Sequence, residues 1–409
     1  MRDVSLPAAE ALLGPQAHAV LAPAVEGAGG QLLRAWATQV RYQPQRRLAV
    51  RYAADVLWAG TDRRRETLGA ITQRGPLPPT LSVVEGPQGA RVGVWRYPYD
   101  PFMPGLPQVA YPSGAQRLLA HLGVSTDEVT VEPVVYRPSS RAVLRLRTDG
   151  AVHYVKVVRP GEVARLQALQ TAFAGHLPVA RCVGWSDEQG IMVQECLEGA
   201  TLGAALVSGD GVPPAEDVAS LLAALQGVAV PPGHALPRTR MRDHADLLGR
   251  ALPQAVEECR ALADEAGEPD STGGRVVHGD FYEAQLLVID GRFSGVLDLD
   301  RARRGGRLED AATLIGHLVA LAHVRPAAAA RISAYREQLT SVLSADRDTE
   351  PLRRAVLGVL LGLATTPFRR QEPDWQARTE GWLELCRSWA HGGCERALTG
   401  ASPPSHRQR

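Results

Sequence analysis

In VVHGDFYEAQLLVIDGRFSGVLDLD (residues 276–300), two apolar runs flank an Asp290-Gly291 pair. Asp-Gly between apolar runs is a strong tight-hairpin signal, so LLVI and FSGVLDL read as antiparallel strands. HGD and FYEAQ form the loop that precedes them. A hairpin of this register returns Asp298 beside the loop that carries Asp280 and Gln285. Three oxygen-bearing side chains then face one small volume. Oxygen donors of this kind suit Mg²⁺, which takes one or two carboxylates and completes its shell with phosphates and water. A carboxylate not tied to metal is free to accept a proton from a hydroxyl. Base and metal are two parts of phosphoryl transfer, and the third is a lysine that neutralises the phosphates.

One residue can supply that lysine. Lys156 is the sole lysine among 45 basic residues, and asparagine is absent altogether. Lysine and asparagine codons are both A-rich, so a GC-rich genome accounts for the scarcity. Arginine replaces lysine wherever a solvated positive charge is enough, but not where a compact ammonium must fit a confined site. Lys156 is therefore either a chance survivor or a residue held by its chemistry.

Composition narrows the classes. Hydrophobic residues make up 45% and charged residues 22% of the 409, an ordinary globular balance that excludes disorder and collagen-like repeats as overall descriptions. At roughly 150 residues per domain the length suggests two or three domains. A net charge of +1 argues against a nucleic-acid or anionic-membrane partner. No apolar run approaches the roughly 20 residues that span a bilayer, and the N-terminus lacks a signal-peptide core. Cys182, Cys196, Cys259, Cys386 and Cys394 are scattered and free of CxxC spacing. A disulfide scaffold and a zinc site are both disfavoured, and a reducing cytoplasm fits best.

Outward from the hairpin, residues 7–29 read as one helix rich in Ala and Leu. QVRYQPQRRLAVRY (39–52) reads as two strands around a turn, and VVYRPSSRAVLRLR (134–147) is related to it. Tyr42, Pro44, Arg47 and Arg51 match Tyr136, Pro138, Arg141 and Arg145. The match is either a duplicated hairpin or a coincidence in an Arg-rich chain. The proline- and aromatic-rich stretch 95–112 reads as an ordered connector. VEPVVY, AVLRLRT and VHYVKVV are three short strands, followed by a helix over 161–174 and two strands within 177–199. Beyond Gly199 the chain reads as mostly helical apart from 276–300. Residues 396–409 read as a frayed tail. The outline is α+β and two-lobed.

HGDFYEAQLLV followed by VLDLD resembles the catalytic loop and metal motif of the aminoglycoside phosphotransferase family, small-molecule kinases with a protein-kinase-like fold. The usual loop there is HxDxxxxN. Gln285 takes the last position here, as in the branch that includes maltokinases and glucosamine kinases. The resemblance implies that Asp280 is the catalytic base, that Gln285 and Asp298 hold Mg²⁺ with Asp300 as a further ligand, and that His278 supports the loop. Asp310, in LEDAATL, is the implied brace of the lobe. Upstream, Lys156 occupies the place of the ATP-phosphate lysine, with Glu162 as its ion-pair partner. MVQECLEG (192–199) resembles the hinge, where adenine would meet the backbone at Glu195 and Leu197. The turn RPSS (137–140) takes the place of the phosphate-covering loop, with the amides of Ser139 and Ser140 as candidates, although no GxGxxG is present.

The resemblance covers roughly 130–325. It implies a bilobal α+β fold with an extra N-terminal part: a cap or extended N-lobe subdomain over 1–125, a β-rich N-lobe with hinge over 126–197, a helical C-lobe over 198–395 and a flexible tail over 396–409. The expected activity is ATP- and Mg²⁺-dependent phosphorylation of a small-molecule hydroxyl on a sugar, amino sugar or aminoglycoside-like compound. A kinase-fold scaffold that has lost catalysis is the alternative, suggested by Gln285 and the missing glycine-rich loop. A metal-dependent phosphohydrolase is third, since such sites need more His or Asp ligands than 276–300 offers. His317 reads as a helix-face residue, Cys196 as a small buried hydrophobe, and the RARR run (301–304) as an anion clamp or a solvated loop. Glu372, Asp374, Glu380 and Glu384 read equally as a cation-binding patch or as surface charge.

Overall fold

The computed structural model describes residues 3–59, 63–85, 89–230, 241–268, 274–344 and 349–392. Cys394 and the tail expected over 396–409 lie outside the described residues. The chain divides into two compact units. The first holds Met1–Ala174, Ala180–Cys196 and Pro367–Trp375, and the second holds Gly175–Val179, Leu197–Thr366 and Gln376–Arg409. The segments expected as cap and as N-lobe thus fall in one unit.

The first unit opens with α1 (Ala9–Leu13) and α2 (Ala17–Glu26). The single helix expected over 7–29 is broken at Gly14-Pro15, because proline has no amide to continue the ladder and Gly14 is extended. Next come β1 (Gly30–Gln43), β2 (Arg47–Trp58), β3 (Arg63–Gln73), β4 (Ser82–Glu85) and β5 (Arg91–Arg96), in the antiparallel order β1-β2-β3-β5-β4. After α3 (Leu106–Val109) and α4 (Pro112–His121) a second sheet forms from β6 (Thr130–Arg137), β7 (Arg141–Arg147), β8 (Val152–Val157), β9 (Cys182–Ser186) and β10 (Ile191–Glu195), with α5 (Val163–Ala174) between β8 and β9. Its order is β6-β7-β8-β10-β9. In β7, buried Ala142, Leu144 and Leu146 alternate with less buried residues, the period-2 signature of a strand with one face on a core.

The second sheet repeats the first. Both follow two short helices, and both run first-second-third-fifth-fourth. The matched hairpin residues fall in the same register. Ala49 pairs with Ile71 and Ile71 with Gly93 in one sheet; Val143 pairs with Lys156 and Lys156 with Met192 in the other. Ile71 is therefore the counterpart of Lys156. The hairpin turns are held alike. In the first, Tyr42 Oη (2.7 Å) and Gln45 N (2.8 Å) donate to Asp3 Oδ2, and Ser5 N donates to Asp3 Oδ1 (2.9 Å). In the second, Tyr136 Oη (3.0 Å) and Ser139 N (2.8 Å) donate to Asp100 Oδ2, and Phe102 N donates to Asp100 Oδ1 (3.0 Å). Gln45 and Ser139 share a φ of 59°, a left-handed conformation that side chains rarely adopt unless neighbouring bonds hold it. Arg51 Nη1 donates to Tyr136 O (3.0 Å) and Trp95 Nε1 to Tyr136 Oη (2.7 Å), tying the two sheets together.

The second unit continues with β11 (Ala200–Thr201), α6 (Leu202–Ser208), α7 (Ala215–Gln226), α8 (Met241–Ala251), α9 (Val256–Ala266) and β12 (Arg275–Val277). Then follow β13 (Leu286–Ile289), β14 (Arg292–Val296), β15 (Arg303–Gly305), α10 (Glu309–Val324), α11 (Ala329–Ser344), α12 (Glu350–Leu363), α13 (Thr366–Arg370) and α14 (Trp375–Ala390). α7 buries Val218, Leu221, Leu222 and Leu225, and α12 buries Leu352, Val356, Leu357, Leu360 and Leu361, the spacing of one apolar helix face. α10 buries residues on every side, including Leu314, Ile315, Leu318 and Val319, so it is the core of this unit. The hairpin expected around Asp290-Gly291 is present as β13 and β14. Its turn residues have φ of 48° and 74°, the twist that a two-residue hairpin demands.

Asp100 is 1% exposed and accepts three hydrogen bonds, so its removal strands a buried amide and a buried phenol. Asp100→Ala is expected to lower the unfolding free energy by about 3 kcal/mol in urea titrations. A midpoint unchanged from wild type would show that the turn does not depend on this carboxylate.

Candidate active site

The loop between β12 and β13 is held from below by Asp310, in the first turn of α10. His278 N donates to Asp310 Oδ2 (2.7 Å) and Gly279 N to Asp310 Oδ1 (2.9 Å). Burial pushes the Asp310 carboxyl up, against the pull of His278 and of the two amides. Gly279 has a φ of 77°, and a Cβ there would stand 2.7 Å from Arg301 O. No side chain fits at the middle of this HGD.

Leu297 closes the loop onto the hairpin. Its carbonyl lies 2.8 Å from His278 Nε2, and its amide donates to Gln285 O (2.8 Å). An imidazole that donates from Nε2 keeps Nδ1 as an acceptor, and Asp280 N donates to that Nδ1 (3.3 Å). His278 is thus spent on structure at both ring nitrogens, and it aims Asp280 through the main chain. Asp298 follows Leu297 directly, with a left-handed φ of 55°. A non-glycine residue in that region costs about 1 kcal/mol or more, and such strain clusters where a side chain must be aimed. The loop and the hairpin thus bring His278, Gln285 and Leu297 together and set Asp280 and Asp298 beside them. Asp300 lies two residues on, half-buried in a short 3₁₀ turn.

Gln285 is 9% exposed, and its Nε2 donates to Tyr282 Oη (3.2 Å). That bond uses the amide nitrogen and leaves Oε1 as the acceptor end of the side chain. Among the described residues no group of three or more His, Cys, Asp or Glu side chains could hold a metal by itself. Two carboxylates and an amide oxygen are instead the donor set of a hard cation that shares its shell with phosphate and water. The residues present fit Mg²⁺ in that role.

The same loop holds a residue that the sequence did not single out. Glu283 is 9% exposed, and its Oε2 has no hydrogen-bond partner. Burial pushes its carboxyl up to about 7. Facing it, at 3.8 Å from Glu283 Oε2, is Nδ1 of His317 on α10, whose ring stacks on Tyr282 at 4.2 Å. Burial pushes His317 down to about 4. His317 is a helix-face residue, as expected, and that face is turned to the loop. A glutamate two positions before Gln285 gives no sign in sequence of lying in a dry pocket.

Lys156, Glu162, Ser139, Ser140 and Glu195 belong to the first unit, while Leu197, Asp280, Gln285, Asp298, Asp300 and Asp310 belong to the second. Lys156 lies on β8, 8% exposed, between Val143 and Met192 on the neighbouring strands. Burying an ammonium is costly, so its place in a strand core marks a position kept for that group. Glu162 stands one residue before α5, and Leu166 N donates to its carbonyl. The RPSS turn departs from expectation. Ser139 is fully buried with its amide on Asp100, and Ser140 N donates to Arg137 O (3.0 Å), so neither amide is open to a phosphate. In the segment resembling a hinge, Glu195 N donates to Arg181 O (3.0 Å) and the Glu195 side chain pairs with Arg181. In the RARR run, Arg303 pairs with Glu309 and Arg304 donates to Gly274 O, so these two serve the loop. Glu384 pairs with Arg387, and Glu380 accepts from Gln254 (3.4 Å).

The sequence model of the family described as "Phosphotransferase enzyme family" matches residues 121–348. No curated protein matches the chain. Among solved structures, a thermostable mutant of the aminoglycoside phosphotransferase APH(4)-Ia in apo form is similar, with 14% identity over 68% of this chain and 98% of that one and a TM-score of 0.47. A ternary complex of such a mutant with AMP-PNP and hygromycin B has the same identity and score over 68% and 99%. The macrolide 2'-phosphotransferase MphH from Brachybacterium faecium is 17% identical over 66% and 98%, with a TM-score of 0.40.

Glu283 sets the sign of a pH effect on stability. Its carboxyl titrates at about 7 when folded, against 4.5 when unfolded, so its contribution is present below 4.5 and is lost as pH rises through 7. The lowered His317 acts oppositely, withdrawing stability as pH falls from 6.5 toward 4. Glu283→Gln keeps His317, so the difference between the two proteins isolates the carboxyl. In EDTA, wild type is expected to lose about 3 kcal/mol relative to Glu283→Gln between pH 4.5 and 8. Denaturant melts that run parallel across this range would contradict it.

Proposed function

Because the chain belongs to the phosphotransferase enzyme family, we propose that it transfers the γ-phosphoryl group of ATP to a hydroxyl of a sugar, amino sugar or aminoglycoside-like compound. The observation that supports this reading is the clasp at Leu297, the residue before Asp298, which bonds Gln285 and His278 on a loop held by Asp310. Two carboxylates and an amide oxygen, aimed by main-chain bonds, are what the chemistry asks of one wall of the site.

In this reading Asp280 accepts the proton of the acceptor hydroxyl and orients its oxygen for in-line attack. His278 and Asp310 keep Asp280 in place. Gln285 and Asp298, with Asp300, would hold Mg²⁺, which when bound neutralises charge on the phosphate oxygens. Lys156 pairs with those phosphates and Glu162 orients it. The main chain at Glu195 and Leu197 receives the adenine. The acceptor class rests on the family alone. The free thiols of Cys182, Cys196, Cys259 and Cys386 suit a reducing cytoplasm.

A nucleotide-binding scaffold without turnover is the competing reading, and the occupied amides of Ser139 and Ser140 favour it. An ATP-consumption screen over sugars, amino sugars and aminoglycosides separates the two. Wild type is expected to turn over at least one compound, and Asp280→Ala to be slower by about 10²–10⁴-fold at unchanged thermal stability. Identical behaviour of the two proteins on every compound would leave the scaffold.

A further inference from the structure

We infer that the first sheet carries a binding site of its own, for a flat aromatic or polycyclic small molecule with an anionic group. The two copies of the sheet differ in what covers one face. Each is preceded by a helix with a left-handed glycine shortly past its end: Gly29 (φ 82°) three residues beyond α2 and Gly123 (φ 80°) two beyond α4. Matching hydrogen bonds fix the alignment. Ala28 N donates to Val25 O and Gly29 N to Glu26 O; Leu122 N donates to Leu119 O and Gly123 N to Ala120 O. Ala24, Val25 and Ala28 are thus the counterparts of Leu118, Leu119 and Leu122.

In the second copy those leucines fill the space over the sheet. Leu119 is fully buried with Val155 and Val193, Leu118 and Leu122 pack against that core, and Leu122 lies so close to Gly184 that a Cβ there would meet it at 2.3 Å. The first copy has two alanines and a valine in their place, and Ser82 at the register position of Gly184. Over these smaller side chains lies an open cavity of about 290 Å³, lined by Ala24, Val25, Ala28, Leu68, Ser82 and Val94.

The rim identifies the occupant. Trp58, Trp95, Arg96 and Tyr99 also line the cavity, and the Arg96 guanidinium lies 4.8 Å from the Trp58 ring centroid and 6.0 Å from that of Tyr99. The carboxylate facing Arg96, Glu66, is 3.9 Å away and is shared with Trp58 Nε1. The arginine is 40% exposed, so it can engage a carboxylate or sulfonate at the mouth while rings enter between α2 and the sheet. Arg96 also stands at the position that Glu195 holds in the second copy, since each pairs with the corresponding residue of the third strand, Leu68 and His153.

The test titrates the full chain with 2-naphthoate and with 1-anilinonaphthalene-8-sulfonate, and follows binding by calorimetry and dye fluorescence at a temperature where the protein is folded. Wild type is expected to bind with one-site stoichiometry. Ala24→Leu/Ala28→Leu, which restores the second copy's leucines, is expected to weaken binding at least tenfold and to raise the melting temperature by about 2 °C or more. Arg96→Gln is expected to weaken 2-naphthoate at least fivefold and leave neutral 2-naphthol unchanged. Binding untouched by the double leucine variant, or a melting temperature lowered by it, would overturn the site. Equal losses for naphthoate and naphthol in Arg96→Gln would overturn the anionic requirement. Naphthol binding by that variant separates a failed site from a failed fold.

Discussion

A buried carboxylate that accepts main-chain N–H bonds organises this molecule wherever a loop must be held still. Asp3, Asp100 and Asp310 are each 5% exposed or less, and each receives at least two amides. Leaving such a group without partners costs several kcal/mol, so once the chain buries it the amides must come to it. At Asp310 the consequence is chemical. The two amides belong to His278 and Gly279, the residue after them is Asp280, and the His278 ring reaches the carbonyl of Leu297. One buried group thereby fixes both the main chain at Asp280 and the strand that leads into Asp298.

The same device appears in both sheets of the first unit, with matching donors on a matching turn. That agreement, together with strand order and register, makes the N-terminal segment a second copy of the sheet that carries Lys156. The copies differ at a few positions. Lys156 in one copy corresponds to Ile71 in the other, Glu195 to Arg96, and a helix edge of leucines to one of alanine and valine. Strands and turns were retained because their bonds are mutually dependent.

Much of this was legible in the residues. Asp290-Gly291 between two apolar runs specified the hairpin and its register, and with them the approach of Asp298 to Gln285. The strand of Lys156 followed from alternation, and the family from HGDFYEAQ and VLDLD. Other features had no local signal. β3 begins with three exposed arginines, Arg63, Arg64 and Arg65, and only its second half is buried. The duplication was visible at four hairpin residues, but Asp3 and Asp100 stand 97 positions apart where the hairpins stand 94 apart, and no short-range pattern links a carboxylate to a turn some forty residues away. The turn at 137–140 could be read as a turn, yet which atom fills its amides depends on Asp100. Glu283 failed for a similar reason: a glutamate in a polar loop becomes a buried acid only when His317 and Gly203 close over it.

Lys156 offers the sharpest measurement, because the chain has no other lysine. An acyl-phosphate derivative of ATP transfers its acyl group to an amine held beside the phosphates, and peptide mass spectrometry reports where. Acylation at Lys156 that excess Mg-ATP suppresses is the expected result, and Asp298→Ala should weaken that protection. Failure to label Lys156 in the folded protein, or labelling that Mg-ATP leaves unchanged, would contradict the assignment of this lysine to a nucleotide's phosphates.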